Sequence, residues 1–300
     1  MRTAPIGRDR PRRGMRERPY GYLLPMVLVL GLVSIYPVLY SVFMSLYDWN
    51  WGKRFNFVGL ANYRDLLTDP NFWDALFRTV YFTVGAVTIE LFLGLVLALA
   101  VARVGRASRV VSSIILIPMM VSGIIVSVIW KIMLDPTLGI IPWFLRALHL
   151  PTTAFLGDVR WAMPSIIGID SWWQTAFVFI VLLAGVQSLP ADPLEAAEVD
   201  GASAWQKFRY VTLPLLRPFI VTVALFRTVD CLKVFAIIFG TTGGGPVRAT
   251  EAVQVLTYRT AFKDLQMSEA MTIMVLFSVF ILGVVLVFLR ATGRLRTDET

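Results

Sequence analysis

The chain has 300 residues, of which 57% are hydrophobic, and its mean hydropathy is +0.69. A soluble domain does not need so large an apolar share, so the composition favours a protein that lies in a lipid bilayer. The net charge of +8 first suggests a nucleic-acid partner. However, the arginines concentrate at the ends of apolar runs, which is typical of membrane orientation, and we expect no nucleic-acid partner.

The rare residue types exclude several kinds of site. Cys231 is the one cysteine, so no internal disulfide can form. His149 is the one histidine and no cysteine cluster lies near it, so we expect no metal site. No stretch reads G-x-x-x-x-G-K-[ST], so any ATP chemistry would belong to another chain. A membrane-embedded enzyme would have little from which to build a catalytic site.

The apolar runs, taken in chain order, predict an all-α membrane protein. Residues 1–20 form a basic tail, and the run that follows is too long for the apolar part of a signal peptide. A span needs about 20 apolar residues, and six transmembrane helices are predicted at 22–47, 79–102, 110–134, 161–187, 216–239 and 269–289. The transmembrane domain is thus expected over 21–290, with a C-terminal tail over 291–300.

The basic residues predict the orientation of these spans. If the N-terminal tail lies inside, the inside segments also hold Arg103, Arg106, Arg109, Lys207, Arg209, Arg217, Arg290, Arg294 and Arg296. The outside segments hold the smaller set of Lys53, Arg54, Arg64, Arg146, Arg160, Arg248, Arg259 and Lys263. Because Lys and Arg favour the cytoplasmic side, we expect both termini in the cytoplasm.

The polar segment 188–215 lies between the fourth and fifth predicted spans, on the predicted cytoplasmic side. Asp192 is expected to cap a short helix, with Pro193 at its first position and Glu195 at the capping-box spacing. Gly201 suits the left-handed position that ends such a helix.

A second short helix is expected directly afterwards. Ser203 offers an N-cap with Gln206 three positions later, and Pro214 limits how far this helix runs unbent. The segment is therefore predicted to form two helices joined at a glycine. An ordinary solvated loop with good caps is the alternative.

The same segment carries a family motif, whose residues are Glu195, Ala196, Ala197, Asp200, Gly201, Ala202, Leu213 and Pro214. It resembles the EAA loop of binding-protein-dependent ABC importer permeases, in which this loop docks into the ATPase subunit. The resemblance implies the type I permease architecture in the bacterial cytoplasmic (inner) membrane. It also implies as partners a second, homologous permease, an ATPase dimer that binds ATP and Mg, and an extracytoplasmic solute-binding protein. No cofactor is expected in this chain.

A glycine-rich turn follows the fifth predicted span and consists of Gly243, Gly244, Gly245 and Pro246. It resembles an external turn of the carbohydrate-type permeases, particularly those of maltose, trehalose and glycerol-phosphate importers. The resemblance covers roughly residues 20–290 and implies a carbohydrate substrate. A plain loop is the alternative, since three glycines and a proline break a helix in any protein.

Charged and aromatic residues inside the fourth span are candidates for a substrate path. Asp170 is followed by Trp172, Trp173 and Gln174. Sugars stack on aromatic rings and hydrogen-bond to amides and carboxylates. Adjacent helical residues point about 100° apart, so only one tryptophan would face a cavity. The alternative is an interfacial tryptophan pair.

Arg227, Asp230 and Lys233 lie three positions apart in the fifth span. Charges there must face protein or water, so they form either a polar wall of the path or an internal ladder of ion pairs. In the second span, Gly94 and Ala98 suit close helix packing, and we expect them, with Glu90, at a contact between subunits.

The resemblance implies the permease subunit of an ATP-driven importer that moves a carbohydrate by alternating access, and no residue of this chain is expected to perform covalent chemistry. One alternative is an ion-coupled secondary transporter that uses Glu90 and Asp170, although no internal repeat supports it. Another is an importer for a polyamine or a glycerol-phosphate.

Overall fold

The computed structural model describes residues 20–51 and 55–297. The predicted basic tail over 1–20 therefore lies outside the described residues except for its last position. The described chain is mostly helical. Its one strand pair joins Tyr47–Asp48 to Asn56–Phe57 in antiparallel register, with Tyr47 opposite Phe57.

Four helical segments among the described residues are long and apolar enough to cross a membrane: Leu24–Ser45, Pro70–Ala102, Ala162–Gln187 and Met267–Ala291. The first comprises most of α1 (Tyr20–Leu30), a π-helical turn and α2 (Tyr36–Ser45). The other three belong to α4 (Pro70–Ala102), α8 (Ala162–Gln187) and α14 (Met267–Thr297). These segments agree with the predicted first, second, fourth and sixth spans. Because α14 continues to Thr297, the residues from 291 to that point extend the helix and do not form a separate tail.

The predicted third span, 110–134, is not one continuous helix. It consists of α5 (Ser108–Leu116), a 3₁₀ turn and α6 (Gly123–Met133). Pro118 lacks the N–H that would continue α5, and the chain is extended at Val121, with φ −90° and ψ 139°. The interruption leaves backbone groups free to bond to side chains.

The predicted fifth span, 216–239, is also interrupted. It consists of α11 (Leu213–Leu232) and α12 (Ala236–Thr241), which meet at a bend where Phe235 has φ −139° and ψ −62°. The bend lets α12 pack against α6 at very short range. A Cβ built on Gly240 would lie 1.8 Å from Ser127 Oγ, so only glycine fits there.

Shorter helices complete the fold. They are α3 (Ala61–Thr68), α7 (Ile140–Ala147), α9 (Ala191–Val199), α10 (Ala204–Lys207) and α13 (Val253–Phe262). Before α7, the Asp135 carboxylate accepts hydrogen bonds from Thr137 Oγ1 and from the N–H groups of Thr137 and Leu138, which lower the pKa of Asp135. The segment between α6 and α8 thus contains one short helix, α7.

The centre of the molecule is the packing of α4 against α8. A Cβ on Gly94 would lie 2.6 Å from Val178 Cγ1, and one on Gly85 would lie 2.9 Å from Ile167 Cδ1. Because these glycines let the two backbones approach closely, the helices stay in contact along much of their length. Helix α11 packs against both of them, and this three-helix group surrounds the candidate site.

Candidate functional site

A buried arginine joins the three central helices. Arg227 of α11 donates from Nε to Glu90 Oε2 at 2.5 Å and from Nη2 to Glu90 Oε1 at 2.8 Å. Its Nη2 also donates to Asp170 Oδ2 of α8 at 2.9 Å. The exposed fractions of Glu90, Asp170 and Arg227 are 0%, 5% and 2%. Side chains from three distant parts of the sequence therefore form one buried ion network.

Asp230 is the solvent-facing member of this network. Arg227 Nη1 donates to Asp230 Oδ2 at 2.5 Å, and 62% of the Asp230 side chain is exposed. Arg227 and Asp230 thus form an ion pair, whereas the full ladder that was one of the two alternatives would also include Lys233. Lys233 ends α11 and is exposed, and it forms no ion pair within the described part of the chain. We call Glu90, Asp170, Arg227 and Asp230 the charge cluster.

The charge cluster borders a cavity of about 350 Å³, which we call the central cavity. Its lining residues are Phe82, Asp170, Trp173, Gln174, Arg227, Asp230, Cys231, Lys233, Val234, Phe235, Ala236 and Ile237. A second, mainly apolar cavity of about 530 Å³ adjoins it and shares Gln174, Arg227, Asp230 and Lys233. The substrate-path candidates other than Trp172 are thus brought together at one place.

The two tryptophans point in different directions, as the helical geometry requires. Trp173 lines the central cavity, and its Nε1–H donates to the carbonyl oxygen of Val121 at 3.1 Å. That carbonyl lies at the interruption between α5 and α6. Trp172 is 48% exposed and contacts the ring of Trp130 edge-on, with centroids 5.4 Å apart. Trp172 therefore does not line the central cavity in this conformation.

Sequence reasoning missed Cys231 as a member of the site. Its Sγ lies 3.2 Å from Arg227 Nη2, one helical turn away. The ligand atoms of Glu90, Asp170 and Cys231 lie within 4.8 Å of one another, a spacing that could suit a metal ion. However, the Arg227 guanidinium contacts all three and occupies the place of a cation. Because Cys231 lies four positions after Arg227 on one helix, the sequence could have indicated that the two side chains share a face.

The predicted contact between subunits at Glu90, Gly94 and Ala98 is replaced by packing within the chain. All three are buried among helices of this chain, Glu90 against Arg227 and Gly94 against Val178. No surface of these residues is left for another subunit in this conformation. The small residues do serve close helix packing, but the partner helix is α8.

The polar segment 188–215 forms the two predicted short helices. Gly201 has φ +73°, and the N–H of Ala202 donates to the Ala197 carbonyl at 2.9 Å, which closes a Schellman motif. The predicted N-cap at Asp192 is wrong, because α9 begins at Ala191 with Pro190 as the cap residue. Asp192 instead lies in the first turn, where its charge favours the helix dipole.

The second helix of the segment continues into the predicted fifth span. Ser203 caps α10, and its N–H donates to Gln206 Oε1 at 2.8 Å while its Oγ accepts from the Gln206 N–H at 3.3 Å. A π-helical turn (Phe208–Thr212) then joins α10 to α11, which begins at Leu213 and carries Pro214 in its first turn. The polar segment is therefore in direct helical continuity with Arg227. The first helix of the segment, α9, carries Glu195, Ala196 and Ala197, and Asp200 is its C-cap.

The glycine-rich turn is held by side chains. Gly243 and Gly244 have φ +63° and +96°, which only glycine adopts without strain. The hydroxyls of Thr242 and Thr250 lie 2.7 Å apart across the turn that contains Gly245 and Pro246. Next to it, the buried Glu251 pairs with Arg259 at 2.6 Å and also with Arg248. The turn is therefore fixed in shape.

The sequence of this chain is similar to a family of transport proteins and to individual permeases. Residues 90–293 match the model of a family described as a binding-protein-dependent transport system inner membrane component. The trehalose/maltose transport system permease protein MalF of Thermococcus litoralis is 36% identical over 94% of this chain and 96% of its own length. The trehalose transport system permease protein SugA of Mycobacterium tuberculosis is 32% identical over 98% and 95%.

A solved structure supports the predicted fold. A chain of a bacterial alginate ABC transporter, solved in complex with an alginate pentasaccharide-bound periplasmic protein, superposes with a TM-score of 0.81. The match covers 92% of this chain and 94% of that one at 23% identity. The described chain therefore has the fold of an ABC importer permease.

Proposed function

This chain belongs to the family of inner membrane components of binding-protein-dependent transport systems, and from that premise we propose that it carries a carbohydrate inward as one permease of an ATP-driven importer. The observation that carries the proposal is the likeness over nearly the whole chain to permeases named for trehalose and maltose. The proposed substrate class is therefore a small neutral sugar. The chain itself is an integral membrane transport subunit.

The proposed topology has six crossings with both termini in the cytoplasm of a bacterium. The four long apolar segments supply four of them. We assign the other two to the interrupted pairs, α5 with α6 and α11 with α12. Interrupted helices are tolerated in membranes where their free backbone groups face protein or a polar cavity, and the bond from Trp173 to the Val121 carbonyl supports this assignment.

The central cavity is the proposed sugar path. Trp173 offers an aromatic face, and Gln174 and Asp230 offer an amide and a carboxylate for hydroxyl groups. Lys233 adds a cationic donor at the same wall. Asp170 and Arg227 also line the cavity but are buried, and we assign them to fixing its shape.

The polar segment is the proposed coupling site for an ATPase subunit. Its two helices and the π-helical turn leave large apolar side chains exposed, with Val199 88%, Trp205 68% and Tyr210 74% exposed. Such side chains suit a groove on a partner. We propose that ATP and Mg are bound by that partner, and that this chain supplies no catalytic residue.

In the proposed mechanism, helix α11 transmits a displacement of the polar segment to the central cavity. A solute-binding protein delivers the sugar on the side of the fixed glycine-rich turn. Closure of the ATPase dimer around ATP shifts the polar segment. Since α10, the π-helical turn and α11 form one continuous helix, the shift reaches Arg227 and changes how α4 and α8 pack around the central cavity.

Co-purification tests this proposal. The tagged chain, extracted gently from its native membrane, should bring with it an ATPase and a second permease of similar size. Glu195→Arg should lose the ATPase and keep the second permease, because it reverses a charge on α9. Asp65→Arg, an equal change on the exposed surface of α3, should keep both.

The same experiment can also contradict the proposal. A chain that is stable alone, without an ATPase, contradicts the importer. Uptake driven by an imposed ion gradient, independent of ATP, would then establish the secondary transporter. Competition of labelled trehalose uptake by unlabelled polyamine or glycerol-phosphate separates the remaining cargo alternatives.

A further inference from the structure

The donors of Arg227 are almost fully occupied by this chain's own carboxylates. Its Nε and Nη2 donate to Glu90, and Nη2 also donates to Asp170. The remaining nitrogen, Nη1, donates to Asp230. An arginine beside a polar cavity would ordinarily bind an anion with two parallel hydrogen bonds. Here the protein supplies the anions instead.

Asp230 differs from the other two carboxylates in its access to the cavity. The Glu90 side chain is 0% exposed and the Asp170 side chain 7%, whereas that of Asp230 is 62% exposed. A solute in the central cavity therefore reaches Asp230 before it reaches the guanidinium. An anionic solute at Arg227 Nη1 therefore competes with this carboxylate.

The charges around the cavity also oppose an anion. Asp170 and Asp230 line the cavity beside Arg227, and the exposed Asp230 carboxylate repels an anion that approaches the guanidinium. A neutral sugar carries no charge and is not repelled by these carboxylates. It can also hydrogen-bond to Asp230 and Gln174. An arrangement that repels the wrong ligand confers specificity as well as one that attracts the right ligand.

We propose that Asp230 is a specificity-determining residue that excludes anionic solutes from the central cavity by covering the cavity-facing side of Arg227. The inference rests on the proposed transport function and narrows its substrate class to uncharged polyols and sugars. It distinguishes a neutral sugar from a glycerol-phosphate, two cargoes that the sequence alone leaves open.

Asp230→Asn tests the proposal. The variant keeps the size of the side chain, removes one negative charge and weakens the hold on Arg227 Nη1. The complex that this chain forms in its membrane is reconstituted in nanodiscs, and binding of inorganic sulfate, glycerol 3-phosphate and trehalose is measured by titration calorimetry. We expect Asp230→Asn to bind the two anions at least about tenfold more tightly than the unmodified chain, because a charge close to the ligand is removed.

Two variants serve as controls. Asp230→Glu keeps the negative charge and should exclude the anions as the unmodified chain does. Asp264→Asn removes an exposed carboxylate that pairs with Arg259 at 3.5 Å outside the cavity, and it should leave anion binding unchanged. The gain should also fall as ionic strength rises, since it is electrostatic.

The outcomes separate this inference from the proposed function. Equal anion binding by Asp230→Asn and the unmodified chain overturns the role of Asp230, whether or not trehalose binds. Tight binding of glycerol 3-phosphate by the unmodified chain overturns it too. If Asp230→Asn gains anion binding while no form binds trehalose, the role of Asp230 stands and the sugar assignment fails.

Discussion

At the scale of single residues, Arg227 joins three helices in the interior of this protein. It is 2% exposed and contacts carboxylates from α4 and α8 as well as one on its own helix. Removing charges from water is costly, and the cost is recovered only when each charge keeps its partners. Loss of one member of the network should therefore lower the free energy of unfolding strongly. Replacement of all its buried members by uncharged residues should lower it much less.

The residue-scale prediction follows from this balance. Arg227→Met should lower the free energy of unfolding by about 3–5 kcal/mol, because Glu90 and Asp170 remain buried without a cation. Adding Glu90→Gln and Asp170→Asn to it should restore most of the loss. Thermal unfolding in detergent measures both effects, with Arg64→Met on the exposed surface of α3 as the control. A triple variant that is less stable than Arg227→Met would contradict this account.

At the scale of elements, the polar segment owes its shape to local sequence. The Schellman motif at Gly201 and the capping box from Ser203 to Gln206 fix both ends of the turn between α9 and α10. The π-helical turn (Phe208–Thr212) then lies between α10 and α11. Wide turns of this kind are frequently found at functional sites. We infer that this turn passes a displacement of the segment on to α11.

The element-scale prediction compares two glycines in the same left-handed conformation. Gly201→Asp should abolish transport while the chain still inserts into the membrane, because the strained turn, at about 1–2 kcal/mol, distorts the coupling segment. Gly105→Asp is the matched control, since Gly105 has φ +63° and a Cβ at either position meets nothing within 4 Å. It should retain transport. The measurement is labelled trehalose uptake at equal expression, and normal uptake by Gly201→Asp would count against the coupling role.

At the scale of the whole molecule, three helices are joined by close packing and one arginine, while the first helical segment is mostly exposed and packs against α14 through α2. Leu24–Ser45 has no buried residue in its most apolar stretch. A helix so exposed is suited to lipid or to the second permease that we propose. The orientation of the whole bundle in the membrane is the property that a labelling experiment can measure.

The whole-molecule prediction concerns that orientation. Val104→Cys and Val159→Cys place cysteines at similarly exposed positions, 48% and 56%, on opposite sides of the proposed topology. A membrane-impermeant maleimide should label the cysteine at 159 in intact cells, and the one at 104 only after permeabilisation. The unmodified chain is the control, because its Cys231 is 2% exposed. Labelling at 104 from outside would reverse the proposed orientation.

The sequence by itself determined the helical membrane class, four of the predicted spans and the turn geometry of the polar segment. These features depend on local chemistry: runs of apolar residues, a glycine at a left-handed position and a serine with a glutamine at capping distance. The motif residues from Glu195 to Pro214 could be found in the same way. The family comparison agrees with what they implied.

Only the tertiary structure decided how the membrane-embedded charges are arranged. Glu90, Asp170 and Arg227 are far apart in sequence, and hydrophobic periodicity does not indicate which helix a charge faces. The same is true of the packing partner of Gly94 and of the close approach of α6 to α12. Those features arise from close packing of α4 with α8 and α6 with α12, where a single Cβ would clash. Such contacts depend on three-dimensional distance, which the order of residues does not encode locally.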